Sequence, residues 1–343
     1  MTGQSKQSVT HKNIHAEEAG QRLDNYLIRC CKGVPKSHLY RILRSGEVRV
    51  NSRRVDATYR LQEGDVVRVP PIRVSQSADT QIQVHAKQNT DIPILFEDDA
   101  FLAVNKPVGL AVHGGSGVSF GVIESLRAQR PLAKFLELAH RLDRETSGLL
   151  LVGKKRSALV ALHDMFRLAG ERADKRYFVL VSGRWLNERQ HIREPLLKFT
   201  LPDGERRVRV SPEGKEAHTV FRLLARWPKF SLLEAQLKTG RTHQIRVHLA
   251  HAGFPIVGDE KYGDFALNRE FAKQGLKRMG LHAASMSLPH PVSAEPVTLK
   301  APLPDDFLPF VKNLLKSPPE FLVNGLMELL TASNEKLAEK VEK

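Results

Sequence analysis

Cysteine is scarce in this sequence, which has two cysteines in 343 residues. They are neighbours, Cys30 and Cys31, which makes a bridge between them a poor candidate, and no Cys-x-x-Cys spacing occurs. Reduced thiols are typical of cytosolic proteins, so we expect a cytoplasmic location.

The sequence also lacks an apolar run of transmembrane length, and its first residues, MTGQSKQSVTHKN, lack the apolar core of a secretory signal. We therefore expect no membrane partner.

Aromatic residues are also few, at 6% of the chain, which does not favour broad stacking platforms for single-stranded nucleic acid. The glycine-rich segments lack the GK[ST] and GxGxxG patterns that bind phosphates, and there is no HExxH motif. The histidines His243, His248 and His251 lack a cysteine or carboxylate at ligand spacing. The sequence therefore predicts no metal site and no cofactor.

Basic residues are abundant. Lys and Arg number 53 against 38 Asp and Glu, which gives a formal net charge of +15. Such an excess favours a polyanionic partner, and nucleic acid is the first candidate. Many basic proteins bind no nucleic acid, so the charge alone leaves both interpretations open.

The length allows two domains of ordinary size. Residues 1–14 are polar, and we expect them to be a disordered terminus. Residues 15–70 carry the pattern of two short helices followed by strands. In the first helix Leu23, Tyr26 and Leu27 fall on one face. Pro35 is placed to begin the second helix, whose apolar side carries Leu39, Ile42 and Leu43.

This first unit is rich in positive charge, with ten Lys or Arg against three Asp or Glu between Arg22 and Arg60. A basic stripe on a small α/β unit is suited to phosphate contacts, which supply affinity without base specificity. The alternative is a solvated basic face. The candidate RNA-binding residues are Lys36, Arg41, Arg44, Arg49, Arg53 and Arg54.

The most distinctive string is HRLDRETSGLLLV, from His140 to Val152. Its short apolar end predicts a buried strand, and its charged beginning predicts a loop that leads into that strand. Asp143 lies between Arg141 and Arg144, whose positive charges favour the ionised carboxylate. An ionised Asp could act as a nucleophile or as an electrostatic stabiliser. The alternative is an Asp that caps a turn or holds the loop through an arginine.

Three strings resemble motifs of the RluA-type pseudouridine synthases and occur in that family's order: NKPVGLAVHGG, HRLDRETSG and GRTHQIRVH. This resemblance covers about residues 94–302. In the first unit, PKSHLYRILRSGEVRVN is similar to the S4 RNA-binding domain. The resemblance implies an α+β protein, in which a small S4-like α/β domain precedes a mostly antiparallel synthase domain with a central cleft. The expected boundaries are a linker at 71–91, a catalytic domain at 92–315 and a C-terminal extension at 316–343.

The resemblance also implies an activity, the isomerisation of uridine to pseudouridine in RNA on a flipped-out base. The implied partner is 23S ribosomal RNA or a ribosome assembly intermediate, and we expect a monomer. In the family the Asp of HRLDRETSG is the nucleophile, which is Asp143 here, and a Lys-x-Tyr tyrosine packs on the base, which is Tyr177. Arg141 is expected to fill the space that the flipped base leaves.

The motif GRTHQIRVH supplies the remaining candidates. The arginine before Val-His pairs with the nucleophile in the family, and this residue is Arg246 here. Arg241 is expected to contact the RNA backbone. Thr242 is placed to cap the helix that follows.

Three alternatives remain open at this stage. The chain could be a non-catalytic RNA-binding assembly factor, although Asp143, Tyr177 and Arg246 are all present. It could be a retaining glycosylase, which needs a second carboxylate at the site, and Glu145 is the nearest candidate in sequence. It could also be a related synthase that acts on other ribosomal or transfer RNA uridines.

Overall fold

The computed structural model describes residues 9–31, 34–72, 92–114, 120–168 and 172–332. The chain divides into two compact units, Met1–Asn89 and Thr90–Lys343. Most of the predicted linker and the final residues of the predicted C-terminal extension lie outside the described ranges. Within those ranges, no helix has the length and apolar character needed to cross a bilayer.

The first unit is a three-stranded antiparallel sheet with two helices. Its elements are β1 (Thr10–Asn13), α1 (Leu23–Cys30), α2 (Lys36–Arg44), β2 (Arg49–Val50) and β3 (Val66–Val69). The strand order is β1-β3-β2. The prediction of a disordered terminus through residue 14 is wrong for its last part, because β1 pairs with β3 from Thr10↔Val69 to Asn13↔Val66. Main-chain pairing with a distant strand orders a segment whose side chains are mostly polar.

The apolar faces that the sequence predicted for the two helices form the core of this unit. Leu23, Tyr26 and Leu27 of α1 are buried, and they share a cluster with Leu39 and Ile42 of α2. Pro35 is the residue that precedes the first turn of α2, as its fixed backbone angle favours. Because apolar residues at helical spacing occupy one side, the arginines between them are left at the surface.

The second unit is built mainly from strands. These are β4 (Ile94–Glu97), β5 (Phe101–Lys106), β6 (Glu137–Leu138), β7 (Ser147–Gly153), β8 (Asp174–Ser182), β9 (Arg189–Ile192), β10 (Leu196–Thr200), β11 (Arg206–Val210), β12 (Thr219–Arg226), β13 (Phe230–Leu237), β14 (Leu281–Pro289), β15 (Pro296–Lys300) and β16 (Phe321–Leu322). Its helices are α3 (Val122–Gln129), α4 (Arg156–Arg167), α5 (Gln244–His251), α6 (Phe265–Lys273), α7 (Leu308–Leu314) and α8 (Leu326–Thr331).

Most of these strands form one large sheet with the order β16-β12-β13-β8-β14-β7-β5-β4, while β10 and β11 form a separate hairpin. Among the described strand pairs of this sheet, β7 and β14 run parallel and the others run antiparallel. The predicted α+β class with a mostly antiparallel sheet is confirmed.

The parallel junction between β7 and β14 sets the position of the motif string. Gly148 pairs with Ala283, Ala283 pairs with Tyr177, and Tyr177 pairs with Ala235. These residues form a row across four adjacent strands. Gly148 has φ +108°, and a Cβ at this position would lie 2.2 Å from the Ala283 carbonyl oxygen. The two strands can therefore approach this closely because residue 148 is glycine.

The described part of the predicted C-terminal extension packs on the second unit. Strand β16 pairs with the edge of β12. Leu326 and Leu330 of α8 are buried in a cluster with Phe307, which precedes α7, and with Phe310 inside α7. This segment therefore contributes apolar packing to the core.

Candidate active site

Asp143 lies in the loop that leads from β6 into β7, and its side chain is about one fifth exposed. The Thr146 N–H donates to the Asp143 carbonyl at 3.1 Å, which closes the turn that ends at the strand. The next carbonyl, that of Arg144, accepts from the Gly109 N–H at 2.9 Å. The loop is therefore tied by its main chain to the segment that follows β5.

Lys106 at the end of β5 reinforces this tie. Its side chain is fully buried, and Nζ donates to the carbonyls of Pro107 and Leu110 at 2.8 Å and of Arg144 at 3.0 Å. Three acceptors match the three protons of an ammonium group. Burial lowers the pKa of Lys106 to about 7. In the sequence Lys106 stands out only as part of the string NKPVGLAVHGG. A lysine that continues a buried strand pattern is the signal that could have indicated its structural role.

Arg246 of α5 lies against Asp143, with Nη1 3.1 Å from Oδ2. This is the pairing that the family resemblance implies. The sequence suggested that Arg144 would supply positive charge to Asp143. The Arg144 guanidinium instead pairs with Glu145, with Nε 2.7 Å from Oε1. The charge that faces the Asp143 carboxylate therefore comes from a helix about one hundred residues later in the chain.

Asp259 holds Arg246 from the other side, and sequence reasoning missed it. Its side chain is buried and accepts from Arg246 Nε at 2.7 Å and Nη2 at 2.8 Å. It also accepts the N–H groups of Lys261 and Tyr262. Burial alone would raise the pKa of Asp259, but the bonds to Arg246 outweigh burial and lower it. Burial lowers the pKa of Arg246, while Asp259 and Asp143 raise it above its ordinary value.

The turn that carries Asp259 is itself fixed by close contacts. Gly258 has φ +77°, and a Cβ there would lie 2.1 Å from the Arg278 carbonyl oxygen. The Gly258 N–H donates to Asn268, whose amide in turn donates to the Asp259 carbonyl at 3.0 Å. The sequence showed only a polar turn between glycines at this place. A buried role for one of its carboxylates depends on these contacts across the fold.

Tyr177 is buried on β8, with 7% of its surface exposed. Burial raises its pKa, and the negative charge of Asp143 raises it further. Tyr177 is therefore a neutral phenol at physiological pH. Lys175, two residues earlier, lies with Nζ 4.8 Å above the Phe166 ring, and burial lowers its pKa.

Two cavities meet at Asp143. The first has a volume of about 420 Å³, and its wall includes Asp143, Tyr177, Arg246, Arg141 and Arg241. The second has a volume of about 710 Å³ and shares Asp143, Arg141 and Arg246 with the first. The structure thus brings together the five predicted site residues of the second unit. A cavity with apolar walls and a few converging polar groups is the usual form of a small-molecule or nucleoside site.

The segment before α5 differs from the prediction. Thr242 does not cap the helix. The residue at the cap position is His243, which has φ 54° and ψ 20° and makes no side-chain cap bond. Gln244 fixes this bend, since its side-chain oxygen accepts from Thr239 Oγ1 and from the Arg241 N–H. A buried glutamine that satisfies the loop internally replaces the threonine cap.

The predicted RNA-binding residues of the first unit are at its surface, since Arg41, Arg44, Arg49, Arg53 and Arg54 are all exposed. The side chain of Lys36 lies outside what the structure describes. Within the described ranges, no group of three His, Cys, Asp or Glu side chains could hold a metal ion.

Comparison with known proteins gives consistent results for both units. Residues 100–251 match the family model of RNA pseudouridylate synthase, and residues 21–67 match that of the S4 domain. Ribosomal large subunit pseudouridine synthase C of Yersinia pestis is 52% identical over 292 residues, which cover 84% of this chain and 91% of the relative. The protein of the same name from Escherichia coli (strain K12) is 51% identical over 300 residues, or 86% and 93% of the two chains.

Two solved structures also resemble the chain. Human RNA Pseudouridylate Synthase Domain Containing 1 has a TM-score of 0.56 and 25% identity, covering 74% of this chain and 96% of its own. Human RNA Pseudouridylate Synthase Domain Containing 4 has a TM-score of 0.56 and 26% identity, covering 71% and 100%. With curated relatives more than half identical along most of their length, this chain belongs to the RNA pseudouridylate synthase family and carries an S4 domain in its first unit.

Proposed function

We propose that this enzyme converts specific uridines of 23S ribosomal RNA to pseudouridine, with Asp143 as the nucleophile. The observation that carries the proposal is the Asp143–Arg246 pair at the wall of a cavity that also contains Tyr177. The choice of ribosomal RNA follows the names of relatives at 51–52% identity, which are large-subunit ribosomal enzymes.

The reaction breaks the N1–C1′ bond of uridine, turns the base and joins C5 to C1′. The proton lost from C5 is balanced by a proton gained at N1, so the reaction needs no group donor and no redox partner. The Asp143 carboxylate attacks either C6 of the base or C1′ of the ribose, or assists elimination, and the arrangement of the site is compatible with each route. Arg246 stabilises the carboxylate through a charge-assisted hydrogen bond.

The target uridine must leave its stack before Asp143 can reach it. Arg141 is exposed and lines both cavities, so we propose that it enters the space that the flipped base leaves. Tyr177, at the wall of the smaller cavity, is proposed to pack on the base and to assist removal of the C5 proton. Arg241, which is exposed at the same cavity, is proposed to contact the RNA backbone.

We also propose the domain arrangement given by the sequence, extended at its start to include β1, with an S4-like anchor at 10–70 and a catalytic domain at 92–315. We further propose that the acting form is a monomer. A ribosomal RNA substrate supports a cytoplasmic location.

Tritium release from RNA that contains 5-tritiated uridine tests the catalytic proposal directly. Unmodified 23S ribosomal RNA and bulk transfer RNA are incubated with the wild type and with Asp143→Asn. We expect release from the ribosomal RNA by the wild type and none above background by the variant. Turnover by Asp143→Asn would exclude the nucleophile role. Release from transfer RNA alone would keep the chemistry and overturn the substrate.

The salt dependence of RNA binding tests the anchor. Each phosphate contact contributes about 0.7 to 0.9 to the slope of log K against log salt. Arg41→Gln/Arg44→Gln is therefore expected to reduce the slope by roughly 1 to 2. The matched control is Lys312→Gln/Lys316→Gln, which removes the same charge from exposed positions of the second unit. Equal slopes for the two double variants would contradict a specific role for the first unit.

A further inference from the structure

His243 lies at the junction of the two cavities in a backbone conformation that is rare for residues other than glycine. Its φ is 54°, and it lines both cavities beside Asp143. Histidine, asparagine and aspartate enter this left-handed region more readily than other side chains, though at some cost. The hydrogen bonds of Gln244 hold the preceding loop, so the fold maintains this conformation. A strained residue kept at a cavity wall indicates a functional constraint.

A chain of hydrogen bonds favours one of the two neutral tautomers of His243. The Val208 N–H donates to Tyr262 Oη at 3.0 Å. Tyr262 Oη lies 2.8 Å from His243 Nδ1, which is the acceptor within reach of the phenol proton. Donation of the phenol proton to Nδ1 gives every polar atom of this chain a partner, and this arrangement favours the tautomer with the ring proton on Nε2.

The protonated nitrogen faces the nucleophile. His243 Nε2 is 3.8 Å from Asp143 Oδ2, the same oxygen that Arg246 Nη1 contacts at 3.1 Å. Burial lowers the pKa of His243, and the charge of Asp143 opposes this effect only in part. The ring is therefore neutral at physiological pH. At 3.8 Å the contact is longer than a hydrogen bond, and a small closure of the site would bring Nε2 within donating distance of Oδ2. Catalytic hydrogen bonds are often long before substrate binds and shorten in the complex.

We propose that His243, in the tautomer set by Tyr262, is a positioning residue that orients the Asp143 carboxylate together with Arg246. One donor leaves the carboxylate able to turn about its own bond. Two donors on Oδ2 fix its plane and leave Oδ1 as the oxygen presented to the uridine. This inference rests on the proposed nucleophile role of Asp143, and it adds His243 and Tyr262 to the groups that determine the rate.

Substitutions at position 243 separate the ring from the backbone. In His243→Gln the side-chain amide reaches the place of Nε2 and can still donate to Asp143. In His243→Asn the amide reaches only the place of Nδ1, although asparagine tolerates the left-handed backbone well. We expect single-turnover tritium release to be about threefold slower in the Gln variant. In the Asn variant we expect a fall in kcat on the order of 10- to 100-fold, the range for one hydrogen bond to a charged group.

Because the contact is made to the nucleophile and not to the RNA backbone, KM should change by less than about twofold in both variants. A rise in KM with unchanged kcat would overturn the proposal and assign His243 to RNA binding. Equal losses of kcat in His243→Gln and His243→Asn would also overturn it, since the donor would then not matter.

Tyr262→Phe provides an independent test that leaves position 243 intact. It keeps the ring that packs 5.1 Å from the Arg246 guanidinium and removes the hydroxyl that sets the tautomer. Tyr262→Phe also removes the acceptor of the Val208 N–H. This loss is the same in the wild type and in His243→Gln, so it cancels in a double-mutant cycle. We expect Tyr262→Phe to slow the wild type about tenfold and to have little further effect in His243→Gln, which has no tautomer to set. Additive effects would overturn the proposal.

The failure of this inference is distinguishable from that of the proposed function. Turnover by Asp143→Asn would remove the nucleophile, and with it the reason for a positioning residue. An inactive Asp143→Asn together with a fully active His243→Asn would keep the proposed function and reject the role of His243.

Discussion

Asp259→Asn is the substitution that most directly examines how the site is held in place. Asp259 is 1% exposed and binds Arg246 through both oxygens. Asparagine has the same shape, but it removes the charge and turns one acceptor into an amide donor. That donor would face a guanidinium N–H, so Arg246 would lose one of its two bonds and the charge that compensates its burial. The variant therefore disturbs Arg246 without touching Asp143.

The size of the effect follows from this geometry. Breaking a buried ion pair by removing one partner costs about 3 to 5 kcal/mol. Asparagine keeps one acceptor, so we expect a loss of about 3 kcal/mol in the free energy of unfolding. A hydrogen bond to a charged group contributes about 1.5 to 3 kcal/mol. Displacement of Arg246 from Asp143 should therefore lower kcat by roughly 10- to 100-fold.

Urea unfolding and single-turnover tritium release measure the two effects separately. The control is Asp99→Asn, the same chemical change at an aspartate whose side chain is 97% exposed and pairs at 3.7 Å with Lys155. The control should match the wild type in both assays, because an exposed pair contributes little. Wild-type stability and wild-type kcat in Asp259→Asn would refute the reasoning.

Two further predictions concern the junction between β7 and β14. Gly148→Ala should lower the free energy of unfolding by more than about 3 kcal/mol and abolish turnover, because its Cβ would overlap the Ala283 carbonyl. The control is Gly204→Ala, at a glycine with φ +85° and open space around it, which should lose only about 1 kcal/mol. Equal losses in urea unfolding would show that backbone strain alone matters. His282 is buried, and burial lowers its pKa to about 4. Because the unfolded chain then binds more protons between pH 4 and 6.5, stability falls as pH falls through this window. From pH 7 to pH 5 the wild type should lose about 2 kcal/mol more than His282→Gln, as measured by urea unfolding at both pH values. Equal losses of stability in the wild type and in His282→Gln would contradict the lowered pKa of His282.

The sequence was a good guide to elements with strong periodicity. The faces of α1 and α2 and the buried strand after HRLDRETSG were predicted from apolar spacing alone, because burial of those residues dominates their local conformation. Terminal and capping details were less predictable. Residues 10–13 have no apolar pattern of their own, and they are ordered by pairing with a strand more than fifty residues later.

The residues of the site were predicted from two kinds of signal, the local string and the family resemblance. Asp143 could be selected from its local string, but Arg144, one of its two arginine neighbours in sequence, pairs with Glu145 and not with Asp143. Arg246 was identified through the family resemblance, because a contact between residues 103 apart leaves no local signal. Asp259 had neither signal. Its role depends on burial beneath Arg246, which is a property of the folded chain and not of the turn sequence.

The tie between Lys106 and the Asp143 loop uses the carbonyl of Arg144 and makes no use of its side chain. That side chain is 61% exposed and, among the described residues, pairs only with its half-buried neighbour Glu145. Arg144 can therefore be replaced at small energetic cost. A cysteine at this position, in a chain whose Cys30 and Cys31 have been replaced, would carry a fluorophore or a crosslinker one residue from the proposed nucleophile. The arrival of RNA at the site could then be followed in real time, with the loop still held by its main chain.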